Sequence, residues 1–340
     1  MIYLDYSANT PADSRVLERF CEVERSCPGN ANSRHQAGRD AKLVIDHAPQ
    51  TIAGLLSAQP AEVIYTSGAS EANNFALKGL AKLSRHLGKH IISTPLEHSS
   101  VSGTLTALQE QGYEIDLVDI KRDGTIDLDH LKELLRPDTI VVAVTMVDSE
   151  LGVVQPVQEI AEILKEYPHC HLHVDATQAV GKIPVSFEGV DTMSLTAHKF
   201  YGLNGIGLLL KRRNLALEPL IHGGESTTIY RSGTPTVALA SSLALALELA
   251  VEQLPEHAEA VQKANAFLRT ELAKYPKVRI NSPENAIPHI LNLSVQDVKG
   301  TVFQRELNEE GVCVSVKSAC SSDGLPSRAV FAVSRDRRNA

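Results

Sequence analysis

Hydrophobic and polar positions follow two rhythms along most of this chain. Short apolar runs, "EVIYTS" (62–67), "KHIIST" (89–94) and "HLHVDA" (171–176), read as strands. "TIVVAVTMV" (139–147) is apolar throughout, as in a strand buried on both faces. "DTMSLTAH" (191–198) and "GIGLLLKR" (205–212) add two more strands. Between the runs lie amphipathic stretches with helical spacing: 71–87, a segment near 98–111, and "EIAEILKEY" (159–167). Such alternation predicts an α/β domain built on a mostly parallel mixed sheet.

The rhythm changes after "TPTVALASSLALALELAVEQL" (234–254), a long apolar helix expected to lead out of the sheet domain. A helix (255–274), strands at 277–281 and 289–295, a helix near 299–310 and the strand-like "GVCVSV" follow. The expected division is a large α/β domain over 15–254 and a smaller α+β domain formed by 1–14 and 255–340. At 340 residues the chain is long enough for both.

Composition narrows the function. Hydrophobic residues are 43% and charged residues 22%, ordinary for a water-soluble globular protein. A net charge of −8 and a pI near 5.9 argue against a nucleic-acid surface. Aromatics are 4% with no Trp, which argues against base stacking. The opening "MIYLDYSANTP" has no basic stretch followed by an apolar run, so no secretory signal is expected. No segment approaches the roughly 18 uninterrupted apolar residues of a membrane span. Cysteines fall at 21, 27, 170, 313 and 320, an odd number without paired metal spacing. Free thiols in a reducing cytoplasm are the plain expectation.

Three motifs carry chemistry. In "TSGASEAN" (66–73) a strand ends and a helix begins, offering either an anion cup of free N–H groups or an ordinary Ser-capped helix. In "HVDATQAVGK" (173–182), Asp175 ends a buried-type strand, placed to hold a cation in the crevice or to cap a helix. In "LTAHKFYGLNGIG" (195–207), Lys199 precedes a glycine-rich strand, as a solvated lysine or as a desolvated Schiff-base former. Cup, acid and lysine stand in the order expected of a pyridoxal-phosphate site. His98 in "PLEHSSV" is placed to stack on the cofactor ring, and Arg231, Ser232 and Thr234 in "YRSGTP" to add phosphate contacts.

With these motifs the chain resembles the NifS/IscS-like cysteine desulfurases of the class V aminotransferase group. The resemblance runs through "YLDYSANTP", "TSGASEANN", "EHSSV", "ELGVVQP", "HVDATQAVGK", "AHKFYGLNGIG", "HGGE" and "RSGTP" to "KSACSS", essentially the whole chain. It implies the fold type I of pyridoxal-phosphate-dependent transferases. It implies Lys199 as the Schiff-base lysine, Asp175 as partner of the pyridinium nitrogen, and Gln178 on the phenolic oxygen. His98 stacks on the ring and passes protons. Ala69, Ser70, Thr196 and His198 hold the phosphate, and Thr234 reaches it from a second subunit, which implies a homodimer. Cys320, on a loop of small polar residues, becomes the nucleophile that takes sulfur from L-cysteine, leaving alanine and a persulfide. The implied acceptor is a scaffold protein of iron–sulfur cluster assembly or a tRNA-thiolation enzyme, without direct nucleic-acid or membrane contact. The other cysteines, notably Cys313, read as buried.

The chain departs from the pattern at three places. Asp148-Ser149 stands where the family has Asn-Asn, so the shorter Ser149 leaves a gap beside the cofactor oxygen that a water would bridge. Lys317 replaces a common Gly, and a cation there would lower the Cys320 pKa or simply face water. The sequence ends at "SRDRRNA", before the family segment whose Arg grips the substrate carboxylate; Arg335, Arg337 and Arg338 precede that position and take no such role. The expectation is a desulfurase core lacking a C-terminal piece. The competing readings are a selenocysteine lyase or aminotransferase on the same fold, and an inactive truncated scaffold.

Overall fold

A computed structural model describes residues 1–317 and 327–336. Its elements in chain order are β1 (Ile2–Tyr3), α1 (Ser14–Ser26), α2 (Gln36–Leu55), β2 (Val63–Thr66), α3 (Ala69–Ser84), β3 (His90–Ser93), α4 (Ser99–Gln109) and β4 (Glu114–Leu117). Then come α5 (Leu128–Leu134), β5 (Thr139–Thr145), α6 (Val157–Leu164), β6 (His171–Asp175), β7 (Thr192–Thr196), β8 (Gly207–Lys211) and α7 (Val237–Glu252). The last are α8 (Leu254–Leu272), β9 (Val278–Ile280), β10 (Leu293–Val295), α9 (Gly300–Glu309), β11 (Val312–Cys313) and α10 (Arg328–Ser334).

Seven strands form the central sheet in the order β2-β8-β7-β6-β5-β3-β4. Only β8 runs against its neighbours; the other strands are parallel. The continuous apolar run of β5 explains its central place. Val141 and Ala143 face one side and pack with Phe75, Leu80 and Leu105 of α3 and α4. Val142 and Val144 face the other and join the larger core with α1, α2 and α7. Every residue of β5 is buried, as a strand covered on both faces requires.

The long helix predicted to leave the sheet domain does not leave it. α7 is buried along most of its length and packs on α1 and α2. Its Ala- and Leu-rich surface has no polar stripe, so it sinks into the core instead of bridging to solvent. The departing element is α8, which turns 63° from α7. No single helix among the described residues is long and apolar enough to cross a membrane. Of the strand predicted over 289–295 only Leu293–Val295 pairs, antiparallel to β9.

The N-terminal strand joins the C-terminal part of the chain: β1 lies parallel to β11, Tyr3 opposite Cys313. Cys313 is only half-buried, as are Cys21 and Cys27; Cys170 alone of the described cysteines is buried. Among the described residues the expectation of buried thiols holds for Cys170 alone: Cys313 lies at the edge of a two-stranded sheet, and Cys21 and Cys27 lie on and at the end of α1. Burial pushes the Cys170 thiol up to about 12, beyond use as a nucleophile.

Candidate active site

Strand register assembles the site at the carboxyl ends of the parallel strands. Thr66 and Thr196 both lie opposite Gly207. Asp175 lies between Thr145 on one side and Ser194 on the other. The ends of β2, β7, β6 and β5 thus bring "TSG", "TAHK", "VDAT" and "VDS" to one crevice, where open α/β sheets bind ligands.

The cup is built by α3. Gly68 is its N-cap, and no side chain caps it. The helix begins at Ala69, earlier than the pattern from 71 suggested, so Ala69 and Ser70 lie in the first turn with their N–H groups directed outward. The Ser-capped alternative is therefore excluded. Glu71 turns back to accept from the N–H of Ser67 at 2.7 Å. Gly207 lets β8 come close beneath: a Cβ there would lie 2.6 Å from Leu195 O and 2.7 Å from Gly68 Cα. Thr196 Oγ1 donates to Ile206 O at 3.1 Å and meets His198 Nδ1 at 3.1 Å. Burial, with the charges of Lys199 and Lys182, pushes His198 down to about 4, so its imidazole is neutral at physiological pH.

Asp175 is 3% exposed. Its Oδ1 accepts from the N–H of Thr177 at 2.9 Å and its Oδ2 from Asn73 Nδ2 at 2.8 Å. The carboxylate thus closes a turn, not a helix cap. Gln178 Nε2 donates to Ser7 O at 2.8 Å, while its Oε1 and the Thr177 hydroxyl are buried without a protein partner. Lys199 Nζ donates to Ser7 O and Ala8 O, both at 2.6 Å. Thr10 clamps the same loop: its N–H and hydroxyl both donate to His198 O at 2.9 Å, and Tyr201 N donates to its hydroxyl at 2.7 Å. The N-terminal arm is therefore a wall of the site, which local pattern in "LDYSANTP" could not reveal.

His98 caps α4, with Nδ1 accepting from the N–H of Ser100 at 3.1 Å. Thr234 and Arg231 line a cleft with Tyr65, Ser226 and Thr227. Arg231 Nε bonds Glu71 Oε1 at 3.0 Å, tying that cleft to the first turn of α3. Ser149 sits in the turn after β5, whose Asp148 Oδ2 accepts from the N–H groups of Glu150 and Leu151. Cys320, Arg337 and Arg338 lie outside the described residues. Lys317 is half-buried with a positive φ of 61°. Arg335 reaches away to Ile120 O at 3.5 Å.

Glu97 went unread in the sequence, and Asp148 was read there only as a departure from Asn and not as a buried acid. Glu97 Oε1 accepts from Thr94 Oγ1 at 2.7 Å and Thr145 N at 2.9 Å, and its Oε2 has no partner. Burial pushes Glu97 up to about 8 and Asp148 to about 7. Lys182, buried beside Lys199 with Nζ 3.3 Å from Lys199 O, is pushed down to about 7. The signal for Glu97 was present in "PLEHSSV", a carboxyl flanked by Leu and His, but burial cannot be read from that spacing.

These residues fit pyridoxal phosphate. The uncapped α3 terminus with Thr196 and His198 suits a phosphate. Asp175, held by two donors, suits a cationic ring nitrogen, and the unpartnered Gln178 and Thr177 atoms leave polar capacity for a ring oxygen and its surroundings.

The Aminotransferase class-V family matches residues 2–337. A protein called cysteine desulfurase IscS from Dictyoglomus turgidum is 38% identical over 337 residues, covering 98% of this chain and 85% of the relative. The solved structure of a NifS-like protein superposes with a TM-score of 0.93 at 34% identity, covering 99% of this chain and 91% of that one. A structure of SspA in complex with cysteine gives 0.87 at 30% identity, covering 100% and 96%. Site and similarity agree: the chain belongs to the class-V aminotransferase family of pyridoxal-phosphate enzymes, on its IscS/NifS-like branch.

Proposed function

We propose that this protein is a cysteine desulfurase that converts L-cysteine to L-alanine and leaves the sulfur as a persulfide on Cys320. The step balances without an external oxidant: the substrate C–S bond breaks, an S–S bond forms on the enzyme thiolate, and the carbon released takes a proton to become alanine. Pyridoxal phosphate, when bound, supplies an electron sink for negative charge at the substrate Cα.

The protein's own groups carry the rest. Ala69 and Ser70 N–H groups, the Thr196 hydroxyl and His198 bind the phosphate. Asp175 keeps the ring nitrogen protonated by placing a fixed negative charge against it. Gln178 orients the ring oxygen, with Ser149 close by. Lys199 anchors the cofactor and moves the proton at Cα. His98 covers the ring and serves as a proton carrier. Thr234 acts on the phosphate of a second subunit in a homodimer. The division into a large unit over 15–254 and a second over 1–14 and 255–340 belongs to the same reading, as do cytoplasmic action and transfer of the sulfur to an acceptor protein.

One observation carries the assignment to Cys320. The segment that bears it is tied at both described flanks to residues beside the Lys199 pocket. Ser315 Oγ donates to Asp5 Oδ2 at 2.8 Å, just before Ser7 in the N-terminal arm. Ser327 Oγ donates to Glu150 Oε2 at 2.5 Å, next to Ser149. These contacts of the two described flanks with the N-terminal arm and with the turn after β5 support the role of Cys320. The test is alanine release from L-cysteine with a thiol reductant, comparing the protein with Cys320→Ser. Alanine from the first and nearly none from the second supports the reading. Equal release from both overturns the role of Cys320, since a transaminase needs no thiol.

A further inference from the structure

Asn73 lies on α3, fully buried below the cup. All four of its hydrogen-bonding positions are occupied. Nδ2 donates to Asp175 Oδ2 at 2.8 Å and to Ser100 Oγ at 2.9 Å. Oδ1 accepts from His173 Nε2 at 3.0 Å and from Ser194 Oγ. The amide's orientation is forced, because an ionised carboxylate only accepts and the NH2 must face Asp175.

The direction of the next bonds follows. The Ser100 N–H donates to His98 Nδ1 and so fixes that nitrogen as an acceptor; the Ser100 hydroxyl, 2.8 Å from it, therefore donates to it as well. A ring nitrogen that receives two donors carries no proton, which puts the His98 proton on Nε2. Burial favours this neutral ring and holds His98 below its ordinary value, with the Asp175 charge opposing and the Lys199 charge assisting. On the far side, burial lowers His173 to about 4, and its Nδ1 meets Thr192 Oγ1 at 2.9 Å. Asn73, Asp175, His173 and Ser194 are buried and the Asn73 amide is fully satisfied, the condition under which a polar network rigidifies a site.

We propose that Asn73 is the positioning residue of this site: it orients the Asp175 carboxylate and, through the Ser100 hydroxyl, the His98 ring, as one unit. An amide does not titrate, so Asp175 and His98 are linked mechanically while no proton passes between them through position 73. Any proton His98 moves leaves or arrives at Nε2. The catalytic meaning rests on the desulfurase reading; the hydrogen-bond unit itself does not.

The experiment uses protein labelled with 15N-histidine and freed of cofactor, with His98 assigned by a His98→Gln variant. The expected wild-type signal is a neutral His98 protonated on Nε2. Ser100→Ala removes a donor to the neutral ring's lone pair and raises the His98 pKa by up to about one unit. Asn73→Asp draws the Ser100 proton to the new carboxylate and adds a negative charge nearby, so His98 rises further. Identical His98 titration in all three folded proteins overturns the proposal. Where Asn73→Asp does not fold, an unchanged His98 in Ser100→Ala is enough to overturn it. With cofactor restored, the pH midpoint of its visible absorbance shifts in Asn73→Asp and stays in Ser100→Ala, because only the first touches Asp175. An unshifted midpoint in Asn73→Asp overturns the Asp175 half. Failure of the wild-type protein to take up the cofactor counts against the desulfurase reading alone, and the His98 signals still decide the role of Asn73.

Discussion

The ε-amine of Lys199 donates to the carbonyl oxygen of Ser7, 2.6 Å away and 192 positions distant in the sequence. The bond places Lys199, in the short turn that follows β7, under the N-terminal arm. On the proposed function, removing the amine would remove both the anchor for the cofactor and the base at Cα. Lys199→Ala is expected to lose the visible absorbance of bound cofactor and to lower alanine release by at least about a hundredfold, the floor for a lost acid–base group. Absorbance and an alanine assay on the same preparation check both; normal turnover in the variant would remove Lys199 from the chemistry.

Gly207 is where β8 passes under the cup. A methyl group 2.6 Å from Leu195 O and 2.7 Å from Gly68 Cα has backbone on both sides and no side chain to push aside. Gly207→Ala is expected to cost roughly 1–3 kcal/mol of stability through overpacking. The shift of Gly68 should also weaken cofactor retention about tenfold, equivalent to 1.4 kcal/mol. Denaturant melts and equilibrium dialysis read the two effects separately.

Glu97 has its folded pKa raised to about 8 from an ordinary 4.5. Between those values the folded protein holds a proton that the unfolded chain has released. Its contribution to stability is therefore complete below pH 4.5 and declines as pH rises through 8. Asp148, raised to about 7, acts with the same sign. Glu97→Gln keeps the shape without the ionisation, so stability between pH 5.5 and 8 should fall less steeply than in the wild type, by roughly a few kcal/mol at most. Urea unfolding at both pH values measures it; equal slopes would show that Glu97 is ionised in the fold.

Ser327 caps α10, accepting from Val330 N at 3.1 Å while its hydroxyl reaches Glu150. Ser327→Ala should destabilise that helix by about 1 kcal/mol. If the Ser327–Glu150 contact serves the reaction, alanine release should drop severalfold while cofactor absorbance stays the same. Unchanged release with a loosened α10, seen by hydrogen exchange, would show that this anchor does not serve the reaction.

Much of this protein is local in its sequence. The all-apolar run 139–147 could only be a strand covered on both faces, and the helix–strand alternation from 62 to 212 already implied a mostly parallel sheet. The placement of Asp175 at the end of β6 and of Lys199 in the turn just after β7 was legible, and strand ends in such sheets share one crevice. What the sequence left open were facts of register and burial. Gly68 as N-cap, rather than a serine, depended on β8 crossing beneath the cup at Gly207. α7 looked like an exit from the domain but became core, because α1 and α2 supply the apolar faces that its own composition does not announce. Asn73 sat inside a motif read for its glycine. It became the hub of the site only when α3, α4, β6 and β7 brought Ser100, Asp175, His173 and Ser194 around one amide. Hydrogen-bond saturation in a closed interior is set by packing, and no spacing along one strand or helix encodes it.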